Sequence, residues 1–354
     1  MNFQDFWYVV ALSEQLTDKA VLSRTVLDEW LVIFRDKKGH PVVLQDRCVH
    51  RNSRLSKGSL KEGRLQCPYH SWTYDGDGKV VNIPAEGSGC PKVARQATRY
   101  ATQEKDGYVY VQLRNPRVNN TTRPSSPNPF SQVTAVKPFP MPHYQHPGWE
   151  TVRVINRFQN NVTNCVENFI DIPHTASVHP GIFRQAKQQQ LKMTVSRYEG
   201  NVSAIYHQET DNLGWFSWFL NPKGKEISHC DRFSMPNVTS VEYKMGPNRH
   251  CFITSQAVPE TEDSTLIYTD VTFNYGVWNK LARPFVKWTA QRIIGQDKVA
   301  LKLQQETIAK YGEQFCHTPA DTIHVFVESI RGAIAKGKDP RNLPDKIVDV
   351  TFWV

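Results

Sequence analysis

From about Phe6 to Leu113 the apolar residues come in short clusters, WYVV, EWLVIF, PVVLQ and YVYVQL, broken by turn-forming stretches such as Lys38-Gly39 and Asp75-Gly76-Asp77-Gly78. Runs this short, rich in Val, Ile, Tyr and Trp, are too brief for helices and suit strands, while Gly beside a polar residue suits tight hairpins. The pattern predicts a small antiparallel β domain over residues 1–115. The alternation then stops. Pro116, Pro124, Pro127, Pro129, Pro138, Pro140, Pro142 and Pro147, with the polar stretch NNTTRPSSPNP, remove backbone donors and fix φ, so residues 116–148 are expected to form a linker. Beyond Trp149, strand-like runs (TVRVI, LKMTVSRY, VSAIYH, SVEYKM, HCFITSQAV, TLIYTDVTF) return, joined by helical stretches near residues 158–172 and 277–311. Residues 149–354 therefore read as a second domain of α+β class, an antiparallel sheet with helices laid on it.

The length of 354 residues is comfortable for two domains, each with its own core. A composition of 39% hydrophobic and 22% charged residues excludes disorder and fibrous repeats. No apolar run reaches the ~18 residues of a membrane span, and the start MNFQDFWYVVALSEQ lacks a basic segment followed by an apolar core. A soluble, cytoplasmic protein is expected. The cysteines Cys48, Cys67, Cys90, Cys165, Cys230, Cys251 and Cys316 are odd in number and irregularly spaced, so reduced thiols are expected and the sequons at Asn161 and Asn237 read as chance. The net charge of +9 is spread without Lys/Arg runs, which favours an anionic substrate or an acidic electron-transfer partner over nucleic acid.

Candidate chemistry begins at CVHRNSRLSKGSLKEGRLQCPYHSW, residues 48–72. Cys48 and His50 form one pair, Cys67 and His70 the other. Structural zinc is one reading. Finger-type sites, however, pair like with like, whereas here each loop offers one thiolate and one imidazole. That mixture suits a 2Fe-2S cluster in which two thiolates hold one iron and two imidazoles the other. The stretch resembles the Rieske domain, with its C-x-H-R and C-P-Y-H-x-W loops, over roughly the first 115 residues. Asn52 and Ser71 stand where many relatives carry a small residue or Gly, which bears on loop shape. Neither loop holds the extra cysteine of respiratory Rieske proteins, so the resemblance is to the oxygenase and ferredoxin branch.

A cluster of this kind moves single electrons and needs a second centre that uses them. In VENFIDIPHTASVH, residues 166–179, Glu167, Asp171 and His174 fall at i, i+4 and i+7, one stripe of a helix, with His179 beyond a Pro-bounded turn. Two imidazoles near carboxylates suit iron. Surface or capping histidines are the plainer alternative. In WTAQRIIGQDKVALKLQQE, Asp297 shares a helix face with Ile293, Ile294, Ala300 and Leu301, where a lone carboxylate would be costly without a cation. Asp270 and Glu306 are weaker candidates for the same role.

The D-x-x-H-x-x-x-x-H spacing is similar to that of the Rieske non-haem iron oxygenases. That resemblance implies His174, His179 and Asp297 as ligands of a mononuclear Fe(II) and Asp171 as a bridge for electrons. It also implies a helix-grip-like catalytic domain and a homotrimer in which His70 of one chain approaches Asp171 of the next. Electrons would come from a ferredoxin or a flavin-dependent reductase using NAD(P)H. The implied reaction activates O2 and hydroxylates or demethylates a small aromatic or heterocyclic substrate. Ring cis-dihydroxylation is one alternative. A Rieske electron carrier without oxygenase activity, a regulatory relative without turnover and a zinc-stabilised interaction module are others. The run Trp215, Phe216, Trp218 and Phe219 could stack on a flat substrate or serve as core or trimer interface.

Overall fold

The computed structural model describes residues 1–87, 94–114, 136–180, 190–207, 227–245 and 249–354. Cys90, the polar part of the Pro-rich segment and the Trp215 to Phe219 run lie outside them. The chain forms two compact units, Gln4–Phe139 and a larger one made of Met1–Phe3 with Pro140–Val354.

Unit Gln4–Phe139 is built from antiparallel strands, as the short apolar runs require. Strands β1 (Trp7–Leu12), β9 (Ala101–Lys105) and β10 (Tyr108–Gln112) form one sheet and β2 (Leu22–Val26), β3 (Glu29–Arg35) and β4 (Pro41–Gln45) a second. A third holds β5 (Ser59–Lys61), β6 (Arg64–Gln66), β7 (Thr73–Tyr74) and β8 (Val80–Asn82). The β2–β3 hairpin turns on Leu27 and Asp28, at φ 51° and 62°, the doubly positive pair whose twist matches that of the strands. Val32, Phe34, Leu44, Leu55, Leu65 and Tyr74 pack into one core, and Cys48 and Cys67 belong to it.

The larger unit carries an eight-stranded antiparallel sheet in the order β11-β17-β16-β15-β14-β13-β12-β18. Its strands are β11 (Glu150–Phe158), β12 (Gln190–Tyr198), β13 (Asn201–His207), β14 (Ile227–Ser234), β15 (Val238–Met245), β16 (His250–Thr261), β17 (Ser264–Asn274) and β18 (Lys346–Trp353). From β12 to β17 each strand pairs with the next, while β11 and β18 add at opposite edges. Its α-helices among the described residues are α1 (Val162–Asn168), α2 (Pro173–Val178), α3 (Asn279–Tyr311) and α4 (Thr322–Ala335). No described helix is long and apolar enough to cross a membrane.

One expectation needs correction, and one element was not foreseen. The stretch 158–172 is not one helix: β11 runs through Phe158, α1 ends at Asn168, and α2 begins at Pro173. Proline at the first helical position lacks an N–H and cannot continue the turn before it, so Glu167, Asp171 and His174 do not form one helical stripe. The sequence reading also passed over α4, whose Ile323, Phe326, Val327, Ile330 and Ile334 are buried at helical spacing.

Candidate active site

Two loops of matching construction present the first group of residues. In each, the Cys N–H bonds a carbonyl five residues on (Cys48 to Ser53 at 2.8 Å, Cys67 to Trp72 at 2.9 Å). The N–H of the residue four positions on returns to the Cys carbonyl, from Asn52 at 2.9 Å and from Ser71 at 3.2 Å. Closing so tight a loop requires the left-handed conformation, and Asn52 and Ser71 both have φ of 58°. Glycine would adopt it freely, Asn tolerates it and Ser does so at a cost, so the two departures noted in the sequence change strain and not shape. Asp46, buried below the first loop, accepts from Arg54 Nε and from the Ser56 N–H and hydroxyl, each at 2.6 Å. Before the second loop, a Cβ at Gly58 would meet Gln66 O at 2.0 Å, so only glycine lets the chains approach.

Cys48 and Cys67 are both 2% exposed, and burial followed by the neighbouring Cys48 sulfur pushes the Cys67 thiol up. Tyr74 Oη lies 3.1 Å from Cys48 Sγ and accepts the Val49 N–H at 3.1 Å. The rings of His50 and His70 have centroids 4.5 Å apart, and His50 stacks on Trp72 at 4.5 Å and 2°. His50 Nδ1 is buried with no hydrogen-bond partner among the described residues. Two adjacent sulfurs, two adjacent imidazoles and an orphaned ring nitrogen fit a 2Fe-2S cluster of mixed ligation.

The second group forms where α2 meets α3. His174 Nε2 and His179 Nε2 lie 3.5 Å and 3.0 Å from Asp297 Oδ1, and one ligand atom from each residue falls within 4.8 Å of the others. Asp297 Oδ1 is nevertheless buried without an acceptable hydrogen bond among the described residues. Three ligand atoms gathered this closely fit a divalent ion in a two-histidine, one-carboxylate triad. Electrostatics agree. Burial would raise the Asp297 pKa, but the two imidazoles outweigh it and hold the carboxyl below its ordinary range. Burial would lower the His174 pKa, yet the carboxylates of Asp171 and Asp297 push it up to about 9. The site is built for positive charge. Asp270 is engaged elsewhere by Arg153 at 3.1 Å, and Glu306 pairs with Lys302 at 3.8 Å, so neither joins the group.

Around the triad, His174 Nδ1 faces Asp171 Oδ2 at 3.1 Å and His179 Nδ1 faces Gln296 Oε1 at 2.9 Å. Each acceptor fixes the proton on Nδ1 and leaves Nε2 for the centre. Asp171 Oδ2 also accepts the His174 N–H at 3.2 Å, and its Oδ1 lies 3.9 Å from His324 Nε2. Sequence reasoning missed Gln296 and His324, since neither stands at a motif spacing. His324 sits on the unforeseen α4, and Gln296 had only its place beside Asp297 to mark it. A cavity of about 120 Å³ opens on the triad, with apolar walls that include Phe169, Val241, Ile253 and Val271.

Comparison with known proteins matches residues 6–100 to the Rieske [2Fe-2S] domain and residues 158–335, half of the chain, to the vanillate O-demethylase oxygenase C-terminal domain. The oxygenase component of dicamba O-demethylase from Stenotrophomonas maltophilia is 26% identical over 310 residues, covering 84% of this chain and 86% of that one. Protein TIC 55, chloroplastic, from Arabidopsis thaliana is 26% identical over 240 residues, 67% of this chain but 40% of the relative's length. The crystal structure of dicamba monooxygenase bound to dicamba shares the fold at a TM-score of 0.77 and 22% identity, over 95% of this chain and 98% of that one.

Proposed function

Because the chain belongs to the Rieske oxygenases whose catalytic half is the vanillate O-demethylase oxygenase C-terminal domain, we propose that it is the terminal oxygenase of an electron-transfer chain, hydroxylating or oxidatively demethylating a small aromatic or heterocyclic compound. The observation that carries this reading is the convergence of His174, His179 and Asp297 in a chain that also holds the two Cys/His loops. Cys48 and Cys67 would hold one iron of the cluster, His50 and His70 the other, and the triad would hold a single Fe(II). When bound, the cluster supplies electrons one at a time and the mononuclear iron supplies a centre for O2 activation.

The remaining work falls to the protein. Asp171 orients His174 through Nδ1 and, in a homotrimer, would link it to His70 of a neighbouring chain, since rings of identical subunits bring unlike surfaces together. The largely apolar cavity would seat substrate beside the triad. The net charge of +9 suits docking of an acidic ferredoxin or a flavin-dependent reductase. Unpaired cysteines such as Cys165, Cys230 and Cys316 suit a reducing compartment, the cytoplasm. Demethylation is favoured because both the matched catalytic domain and the dicamba relative are named for O-demethylation.

Iron analysis with substrate-dependent oxygen uptake tests the reading. About three irons per chain and uptake that depends on added aromatic substrate and reductase are expected. About two irons would leave an electron carrier, and zinc with a colourless protein would leave an interaction module. Uptake that ignores every substrate would leave a regulatory relative.

A further inference from the structure

The cavity wall contains a second polar group that the metal centre does not use. Strand β14 places His229 and Asp231 two residues apart, hence on one face of the sheet, and both line the cavity at 2% and 1% exposure. His229 Nε2 lies 2.9 Å from Asp231 Oδ1. An ionised carboxylate only accepts, so Nε2 carries the proton. Tyr206 of β13 and Tyr243 of β15 are the cross-strand partners of His229. Their rings stack on the imidazole from both sides, at 4.5 Å and 22° and at 4.3 Å and 25°. The histidine cannot turn away, and it holds the carboxylate in place. Asp231 itself faces only Ala204 and Val241 across the strands, so sheet packing gives no reason for a charge there.

We propose that Asp231, positioned by His229, is the acceptor that selects the substrate: an uncharged, single-ring compound carrying an O–H or N–H donor, a phenol or an N–H heterocycle, in preference to a carboxylate. This rests on the reading that the cavity is the substrate site. Size admits one ring, because the volume of about 120 Å³ is close to the ~150 Å³ that accommodates benzene in an apolar protein interior. Charge supports neutrality. The described lining contains the carboxylates of Asp171, Asp231 and Asp297 and no Lys or Arg, and its His174 and His179 are committed to the metal triad, so an anion beside Asp231 would meet a second carboxylate and no Lys or Arg. A donor hydrogen, by contrast, finds a carboxyl acceptor in a buried wall, where hydrogen bonds are strengthened.

The test is calorimetric titration of the reduced, anaerobic holoenzyme with phenol, toluene and benzoate, using wild type, Asp231→Leu and Asp231→Asn, with cluster absorbance reporting intact folding. Wild type should bind phenol at least about tenfold more tightly than toluene and more tightly than benzoate. Asp231→Leu should abolish the preference for phenol over toluene, and Asp231→Asn, which keeps an acceptor of lower charge, should reduce it. Benzoate binding as tightly as phenol in wild type, or a phenol preference unchanged in both variants, overturns the proposal. So does failure of all three probes to bind wild type, which would remove the cavity as substrate site as well. Persistence of the phenol preference in a protein that shows no oxygen uptake would overturn the oxygenase reading and leave the recognition standing.

Discussion

Glu167 is a carboxyl group that the fold has buried at 8% exposure, with Oε1 lacking a hydrogen-bond partner among the described residues. Glu167→Gln isolates the consequence, because the amide keeps the shape and stays neutral. Burial, reinforced by the nearby Glu328 carboxylate and only partly offset by Arg331, pushes the Glu167 pKa from 4.5 up to about 8. The folded state thus retains a proton that the unfolded chain releases. This contribution to stability is complete below the unfolded value of 4.5 and is lost as pH rises toward about 8. One pKa unit corresponds to about 1.4 kcal/mol, so between pH 6 and 8 the wild type should lose about 2 kcal/mol that the variant does not. For a unit the size of Pro140–Val354, each kcal/mol moves the thermal midpoint by roughly 2–4 °C. Thermal midpoints of both proteins at pH 6 and pH 8 in matched buffers should therefore diverge by about 4–8 °C, with the variant the more stable at pH 8. Parallel midpoints across that range would refute the reasoning and show that Glu167 is ionised, or solvated, in the fold.

Asp297→Ala should remove the mononuclear iron while keeping the red-brown cluster, with iron content falling from about three to about two per chain; full iron retention would assign the ligand elsewhere. Asp171→Asn should leave both metals in place and slow electron delivery in single-turnover measurements, and undiminished turnover would end the bridging assignment. Tyr74→Phe removes a hydroxyl 3.1 Å from Cys48 Sγ. Burial pushes the Tyr74 pKa up, so the group stays a protonated donor, and hydrogen bonds to cluster sulfur favour the electron-richer reduced state. A net bond of about 0.5–1.5 kcal/mol converts at 59 mV per tenfold to a potential lowered by about 20–60 mV; redox titration showing no change, or a rise, would contradict it.

The local period of the chain determined much of this protein. Short β-branched runs had to become strands, and two Cys/His pairs on tight turns had to face a shared centre or be wasted. An aspartate on the apolar face of a long helix called for polar partners, and His174 and His179 are placed beside it. Those inferences depend on neighbours a few residues apart, which sequence displays directly. Even so, local reading failed where a local rule was broken: Pro173 divides what spacing alone had joined into one helix.

Tertiary structure alone decided which distant groups meet. Asp297 reaches His174 and His179 only because α3 packs against α2, and Gln296 fixes the His179 tautomer through the same contact. His324 faces Asp171 because α4 returns to the site, and the Tyr206, His229 and Tyr243 stack exists only through the register of three strands. Register and helix packing are set by the summed burial of many side chains across the whole unit, so no short stretch of the chain encodes them.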